Sequence, residues 1–334
     1  MSKVKNQHYI PRSYLRGFAH QSGKEWFVFS EINGVSVGKI NVRKICAKRY
    51  LYDVPELGEA QEQLIEKYYA NHVDGNFPEI LDFAKDEGNT NITEELRAKI
   101  ISSCISLIFR TPKFLEEDAN QIELHTDIEG EDDKEKRKRK VLALQNHLKN
   151  SIELIRQKHD DGIAINKAQE GMTFITSNNP IVMRNPDGEF RDYFDPTNIF
   201  HVPISPEYSI TITPSKEEDL KNTCTRYSFN KASVLSVNHD IARASQQFLI
   251  GAENGIEEFH RDMKIYDNPT PEGLKMLRDQ KKMSMIMKDV FSTVEKHGAA
   301  SKETREIYMK YWEEEEVVRE DENYTRHMKD LGLI

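Results

Sequence analysis

His8, Arg12 and Arg16 fall close together in the stretch NQHYIPRSYLRGF. An imidazole moves protons near neutral pH, and guanidinium groups carry paired donors that fit phosphate or carboxylate. Pro11 fixes its own φ and restricts Ile10, so the imidazole belongs to a stiff piece of chain, as general acid or base work requires. Arg12 and Arg16 are four apart, so they share a face if the segment is helical and diverge if it is not. The combination points to proton transfer beside a phosphate clamp. The same side chains would also serve as ties, the histidine to a backbone carbonyl and the arginines to the abundant Asp and Glu.

Arg110 closes the apolar run from Ile100 to Phe109 and is followed by Thr111 and Pro112. A guanidinium there either satisfies carbonyls at a helix C-terminus or reaches into a pocket beside His8. Thr176, Ser177 and Asn178, in FITSNNPIV, place hydroxyls and an amide at a strand end followed by a turn. That setting suits ligand recognition, and it equally suits a plain Asx turn. Asn238 adds a polar side chain in a helical stretch, where the adjacent His239 and Asp240 diverge by about 100° and so do not form an acid-base pair. The functional assignment is His8, Arg12 and Arg110 as the catalytic group, with Thr176, Ser177, Asn178 and Asn238 binding substrate. On that reading alanine at His8 or Arg110 removes activity and moves the melting temperature by only a few degrees.

Other chemistries lack their spacing. No HExxH, CxxC, GxxxxGK[ST], GxSxG or strand-linked GxGxxG occurs, and no two of the eleven histidines form an HxH or HxxxH pair. Glu62 and Glu66 stand one helical turn apart, a pattern that more commonly marks a solvated face than a cation site. No metal and no cofactor is assigned. Cys46, Cys104 and Cys224 are too few and too widely spaced for a disulfide framework, which suits a reducing compartment.

The elements that must position these groups are mixed. Trp26 to Ile32 and Val35 to Val42 alternate around Asn33-Gly34, the signature of a type I′ hairpin. Helical periodicity follows from Glu59 to Ala70 and from Phe77 to Lys85. Thr93 then caps a helix that ends before Pro112. DIEGEDDKEKRKRK, from Asp127 to Lys140, reads as a charged loop entering a solvated helix that runs to about Lys158. Short strands are expected at Met172 to Thr176, Ile181 to Met183, Phe200 to Pro203 and Tyr208 to Thr213. Helices are expected at Ser228 to Phe248, Pro271 to Lys296 and Ser301 to Val318. With 334 residues, 37% hydrophobic and 31% charged, the chain suits one large domain or two lobes.

Charge is distributed unevenly. Residues 1–50 hold ten Lys or Arg and two Glu, a net +8, so in a chain of net charge -9 the remainder carries -17. A basic face on an acidic body attracts a phosphate-bearing partner while the bulk repels nonspecific polyanions. No apolar run reaches the roughly 20 residues of a membrane span, and MSKVKNQ has no apolar h-region. A cytoplasmic location without membrane contact is expected.

HYIPRSYLRGF, the RTP of Arg110 to Pro112, FITSNNPIV and HVPISP together resemble a bacterial uncharacterised-domain family, domain of unknown function four-two-three-eight, over about residues 6 to 250. The resemblance implies a shared fold and shared polar positions, without a settled activity. Members of that family carry Asp in a TSDxP pattern where this chain has Asn178, so any role that needs a charge there is lost.

The expected architecture is α+β: an N-terminal β-hairpin and short antiparallel strands packed with long helices. Residues 1–250 form the family-like domain, with a charged helical insertion near 127–158, and 251–334 form a C-terminal helical extension. The expected function is an enzyme acting on a phosphate-containing substrate, such as a metal-independent ribonuclease or nucleotide-processing effector in bacterial defence or stress, with RNA or nucleotide as partner. The alternative is a non-catalytic sensor or protein-interaction module, with the acidic C-terminal WEEEEVVREDE meeting a protein partner. The enzyme reading expects His8 and Arg12 to be substantially buried and Gln7 to Phe18 to pack on the helix that ends at Arg110.

Overall fold

A computed structural model describes residues 6–52, 64–112, 114, 133–185, 192–215, 222–267, 271–298 and 301–334. It has the α+β architecture, about 48% helix and 22% strand, arranged as two larger sheets, a small two-stranded ladder and several helices. The small ladder joins β1 (Asn6–His8) to β5 (Ala47–Arg49) and so ties the N-terminal segment down.

The first large sheet is built on β3 (Glu25–Ile32). Asn33 and Gly34 both take positive φ, 50° and 79°, so the turn into β4 (Val35–Asn41) is type I′ as the Asn-Gly pair dictates. β4 lines one edge of β3; along the other, β2 (His20–Ser22) pairs with Glu25 to Phe27 and β12 (Phe248–Gly251) with Phe29 to Ile32. β7 (Thr176–Ser177) then pairs with β12.

The second sheet has the order β11-β6-β10-β9-β8, from β11 (Thr225–Phe229), β6 (Gly162–Ala168), β10 (Tyr208–Thr213), β9 (Ile199–Pro203) and β8 (Val182–Arg184). β6 pairs antiparallel with β10 and parallel with β11. Strand structure at the first of the expected short strands is confined to Thr176–Ser177, because Thr173 and Ile175 give backbone groups to Asn238 instead of a ladder. The expected helix from Ser228 to Phe248 is corrected at both ends: β11 runs through Phe229, and Phe248 begins β12.

Helices fill the space between. α1 (Arg12–Arg16) and α2 (Leu64–His72) precede α3 (Phe77–Lys85) and α4 (Glu94–Phe109). The Thr93 hydroxyl accepts from the Leu96 amide at 3.2 Å and starts α4, whose Ile100, Ile101, Cys104, Ile105 and Leu107 are wholly enclosed. α5 (Asp133–Gln157) packs on α4; the acidic residues 127–132 before it, like 59–63 before α2, lie outside the described residues. α6 (Lys231–Ala244) is capped by Asn230, whose Oδ1 accepts from the Ser233 amide. α7 (Gly255–Asp267), α8 (Pro271–His297), α9 (Lys302–Glu314), α10 (Glu316–Arg319) and α11 (Glu322–Asp330) follow. Ile286, Val290, Tyr308, Val318, Tyr324 and Met328 give these last helices an apolar core of their own.

Candidate functional site

α1 has two faces with different work. Tyr14 and Leu15 are buried, and Arg12 and Arg16 project from the opposite side, one turn apart. They line a cleft of about 680 Å³ with His8, Arg43, Glu66 and Asp74. The volume lies within the ordinary range for small-molecule sites. Arg12 is exposed rather than buried, which corrects the expectation for it, while His8 is part-buried. The five large apolar side chains Tyr9, Ile10, Tyr14, Leu15 and Phe18 are all buried in the main core.

His8 sits on β1 with Nε2 3.2 Å from the Val42 carbonyl. A carbonyl only accepts, so Nε2 carries the proton. Burial first, and then the nearby Arg12 charge, lower the imidazole pKa from 6.5 to about 4, against the pull of Val42 and Asp74. At neutral pH the ring is therefore uncharged and Nδ1 carries a bare lone pair, able to accept a proton but not to supply one.

Arg12 has no hydrogen bond or ion pair among the described residues, and Arg16 has only the Trp26 ring, 5.6 Å from its guanidinium carbon. Arg43 reaches the cleft from the residues after β4 and makes a loose, exposed pair with Glu25 at 3.5 Å. Of the two acids lining the cleft, Glu66 and Asp74, the second is already taken by Arg110. Three arginines thus share the cleft with one further carboxylate.

Arg110 is 1% exposed and works inside the wall. It donates through Nη1 to the Asp74 carboxylate and through Nη2 to the His8 carbonyl at 2.8 Å, and its guanidinium lies 4.3 Å over the Tyr69 ring. Burial opposes its charge, but Asp74, Tyr52 and Tyr69 outweigh that and raise its pKa further. Its own carbonyl accepts from the Tyr52 hydroxyl at 2.8 Å. It does not line the cleft.

The four residues expected to bind substrate also lie elsewhere. The Tyr14 hydroxyl spends its proton on the Pro203 carbonyl at 2.6 Å, so the Thr176 hydroxyl, 2.6 Å away, must donate to it. Ser177 folds back on Asn179, accepting from its amide and donating to its carbonyl. Asn178 Oδ1 accepts from the amides of Gln246, Gln247 and Phe248 at 3.2, 3.1 and 3.0 Å, while the Ser245 hydroxyl beside it donates to the Phe248 carbonyl at 3.0 Å. A carboxylate would offer the same oxygen, so Asn in place of the resembled family's Asp changes the charge and leaves the acceptor. Asn238 bridges Ile175 and Thr173. All four side chains are buried and committed to the scaffold.

Tyr14 thereby joins HYIPRSYLRGF to both TSNNP and HVPISP, and Arg110 joins it to RTP. Gly17 completes the hub: a Cβ there would lie 2.1 Å from the Ile204 carbonyl oxygen, a distance no side chain allows. Arg43 and Asp74 were not singled out from sequence, since each comes from a different loop and no spacing links them to His8. Among the described residues no group of three or more His, Cys, Asp or Glu is placed to hold a metal, and Glu62 of the Glu62-Glu66 pair lies outside them.

A family model described as Protein of unknown function (DUF4238) matches residues 6–255. The chain belongs to that family. Every residue named in the cleft falls inside the DUF4238 match, as do both large sheets, whereas α8 to α11 fall beyond it. No curated protein and no solved structure matches this DUF4238 chain. No helix among its described residues is long and apolar enough to cross a membrane.

Proposed function

We propose that the α1 cleft binds a phosphate-bearing ligand, a nucleotide or single-stranded RNA, and that the protein is an enzyme acting on it. The observation that supports this reading most is the pair Arg12 and Arg16, set on one helical face at the cleft without a carboxylate partner. Two guanidinium groups one turn apart match the non-bridging oxygens of a phosphate, and Arg43 adds a third cation at the rim. His8 Nδ1 is the proton acceptor: it takes the proton of an attacking water or ribose hydroxyl as that oxygen bonds phosphorus, the phosphorus bond to the leaving oxygen breaks, and the proton passes from Nδ1 to that oxygen, while the arginines stabilise the charge that develops on the phosphorus oxygens. With its pKa near 4 the ring is a weak base, so electrostatic stabilisation carries more of the rate than proton abstraction does. No metal enters this scheme.

A second reading, a non-catalytic sensor or interaction module, is favoured by one specific observation. Arg110, Thr176, Ser177, Asn178 and Asn238 all direct their polar atoms inward to the scaffold. The acidic WEEEEVVREDE, exposed at Glu313, Glu314, Glu316 and Glu320, is then its protein-facing surface.

Fluorescence anisotropy of a short labelled single-stranded RNA and of a labelled nucleotide, at two salt concentrations, tests the proposal. Two to three phosphate contacts give a slope of log affinity against log salt of about -1.4 to -2 for a single strand. Arg12→Ala with Arg16→Ala is expected to remove binding, and charge reversal at Lys44, Lys48 and Arg49 to weaken it. Reversal within Lys136 to Lys140 is expected to matter less. No binding at low salt removes the phosphate reading; binding without turnover leaves the sensor.

A further inference from the structure

β11 is the outer strand of the second sheet, bonded to β6 on its inner side only. Along a strand alternate residues direct their backbone groups to opposite edges, so Arg226 and Ser228 face outward together. In this protein those outward groups are occupied by side chains. Asn323 on α11 accepts from the Ser228 amide through Oδ1 at 2.8 Å and donates through Nδ2 to the Ser228 carbonyl at 2.6 Å. One turn on, Arg326 Nη1 donates to the Arg226 carbonyl at 2.5 Å. A carboxamide that gives one donor and takes one acceptor reproduces the pair of bonds that a residue of a neighbouring strand would make. α11 thus stands in for a missing strand at three backbone atoms.

Beside this edge runs an open groove of about 1610 Å³, far larger than three hydrogen bonds need. Glu170, Glu207, Glu258, Glu322 and Asp330 line it without an ion-pair partner among the described residues. Its cations are already bonded: Lys167 pairs with Glu87 at 2.6 Å, the Arg226 guanidinium donates to the carbonyls of Phe83, Ala84 and Asn89, and Arg326 donates to the Arg226 carbonyl, so six carboxylates line the groove with three cations. The groove is therefore negative along an edge whose polar backbone is only partly matched.

We propose that the β11 edge is a docking site for an extended, cationic segment of a partner protein, and that Asn323 and Arg326 are a displaceable plug holding it closed. A bound strand would replace three side-chain bonds with a continuous ladder, and its lysines or arginines would meet the unpaired carboxylates. The plug also protects an edge that would otherwise template aggregation, which explains why helix side chains pair with backbone there. The site lies apart from the α1 cleft, so its fate is independent of the phosphate reading.

The test uses the full chain, with the labelled peptide Ac-KVKVKVK-NH2 as probe, a version with proline at alternate positions, and an acidic Ac-EVEVEVE-NH2. Asn323→Ala with Arg326→Ala opens the plug; Asn323→Asp, which keeps the acceptor and loses the donor, opens it partly and serves if the double variant folds poorly. The basic peptide is expected to bind the opened chain at least tenfold tighter than the unaltered one, and the proline and acidic peptides to bind neither. Amide hydrogen exchange reads the mechanism directly. Ser228 loses protection in the variants and regains it with the basic peptide. No gain on opening, equal binding of the proline peptide, or binding without renewed protection at residues 225–229 overturns the proposal.

Discussion

Arg110 holds His8 by its backbone carbonyl, at 2.8 Å, and makes no hydrogen bond to the ring, on which it acts only through its charge. The guanidinium is therefore a bolt between α4, α2 and the N-terminal strand, and the imidazole next to it is free to face the cleft.

Removing that bolt has a structural cost. Arg110→Ala strands Asp74 and the His8 carbonyl, and breaking a charge pair with one fully buried partner costs about 3 kcal/mol, or roughly 4 °C in melting temperature for a chain of this length. Thermal unfolding followed by circular dichroism measures it. A shift of a degree or two would return Arg110 to the role read from sequence.

Arg12 and Arg16 behave oppositely. Both are exposed, so replacing both with alanine is expected to change stability by less than about 1 kcal/mol while abolishing binding of a phosphate ligand. Calorimetric titration alongside a melting curve separates the two effects. Loss of both together would make α1 a structural element only.

The buried histidines make the protein acid-labile. His8 and His201 titrate near 4 and near 3 in the folded chain, both lowered mainly by burial, against 6.5 ordinarily. Below pH 6.5 the unfolded chain binds protons that the folded chain does not, so stability is full above that value and falls progressively toward pH 4. Urea midpoints between pH 7.5 and 4.5 are expected to drop, and His8→Asn is expected to drop less steeply. A flat profile would mean that neither ring is held neutral by the fold.

Asn178 gives the sharpest comparison. Asn178→Ala leaves three part-buried amides without their acceptor, a loss of about 1 kcal/mol or more. Asn178→Asp keeps the acceptor and is expected to match the original protein at pH 7. Its carboxylate, fed by three amides, titrates below the usual range; the stability it adds is present above the unfolded value and disappears as pH falls through the folded one. Equal destabilisation by both substitutions would show that the amide nitrogen, not the oxygen, is what the turn requires.

Local signals were readable where one residue decides the backbone. Asn33-Gly34 and Thr93 mark their hairpin and helix correctly because their conformations follow from side chains next to them. β6 escaped because GIAINKA is buried at every position but Lys167, so no alternation shows. β12 escaped because four residues after a helix carry too little pattern, and α11 because its apolar positions are few, whereas the Ile256, Phe259 and Met263 spacing of α7 was there to be read. For the site, His8, Arg12 and Arg16 were legible as neighbours in sequence. Arg43 and Asp74 reach them only through tertiary folding, and the TSNNP polar residues gave the same signal as ligand contacts while serving as internal ties.

The register of β12 on β3, Leu249 opposite Glu31, sets an order of events during synthesis. At about 5–20 residues per second, a strand roughly 200 residues downstream emerges some tens of seconds to ten seconds after its partner. Until then β2 and β4 can close around β3, but the half of its edge from Phe29 to Ile32 stays bare on the ribosome. The first sheet is thus finished by the last strand of the family region, so an edge made early in the chain waits for a strand made late.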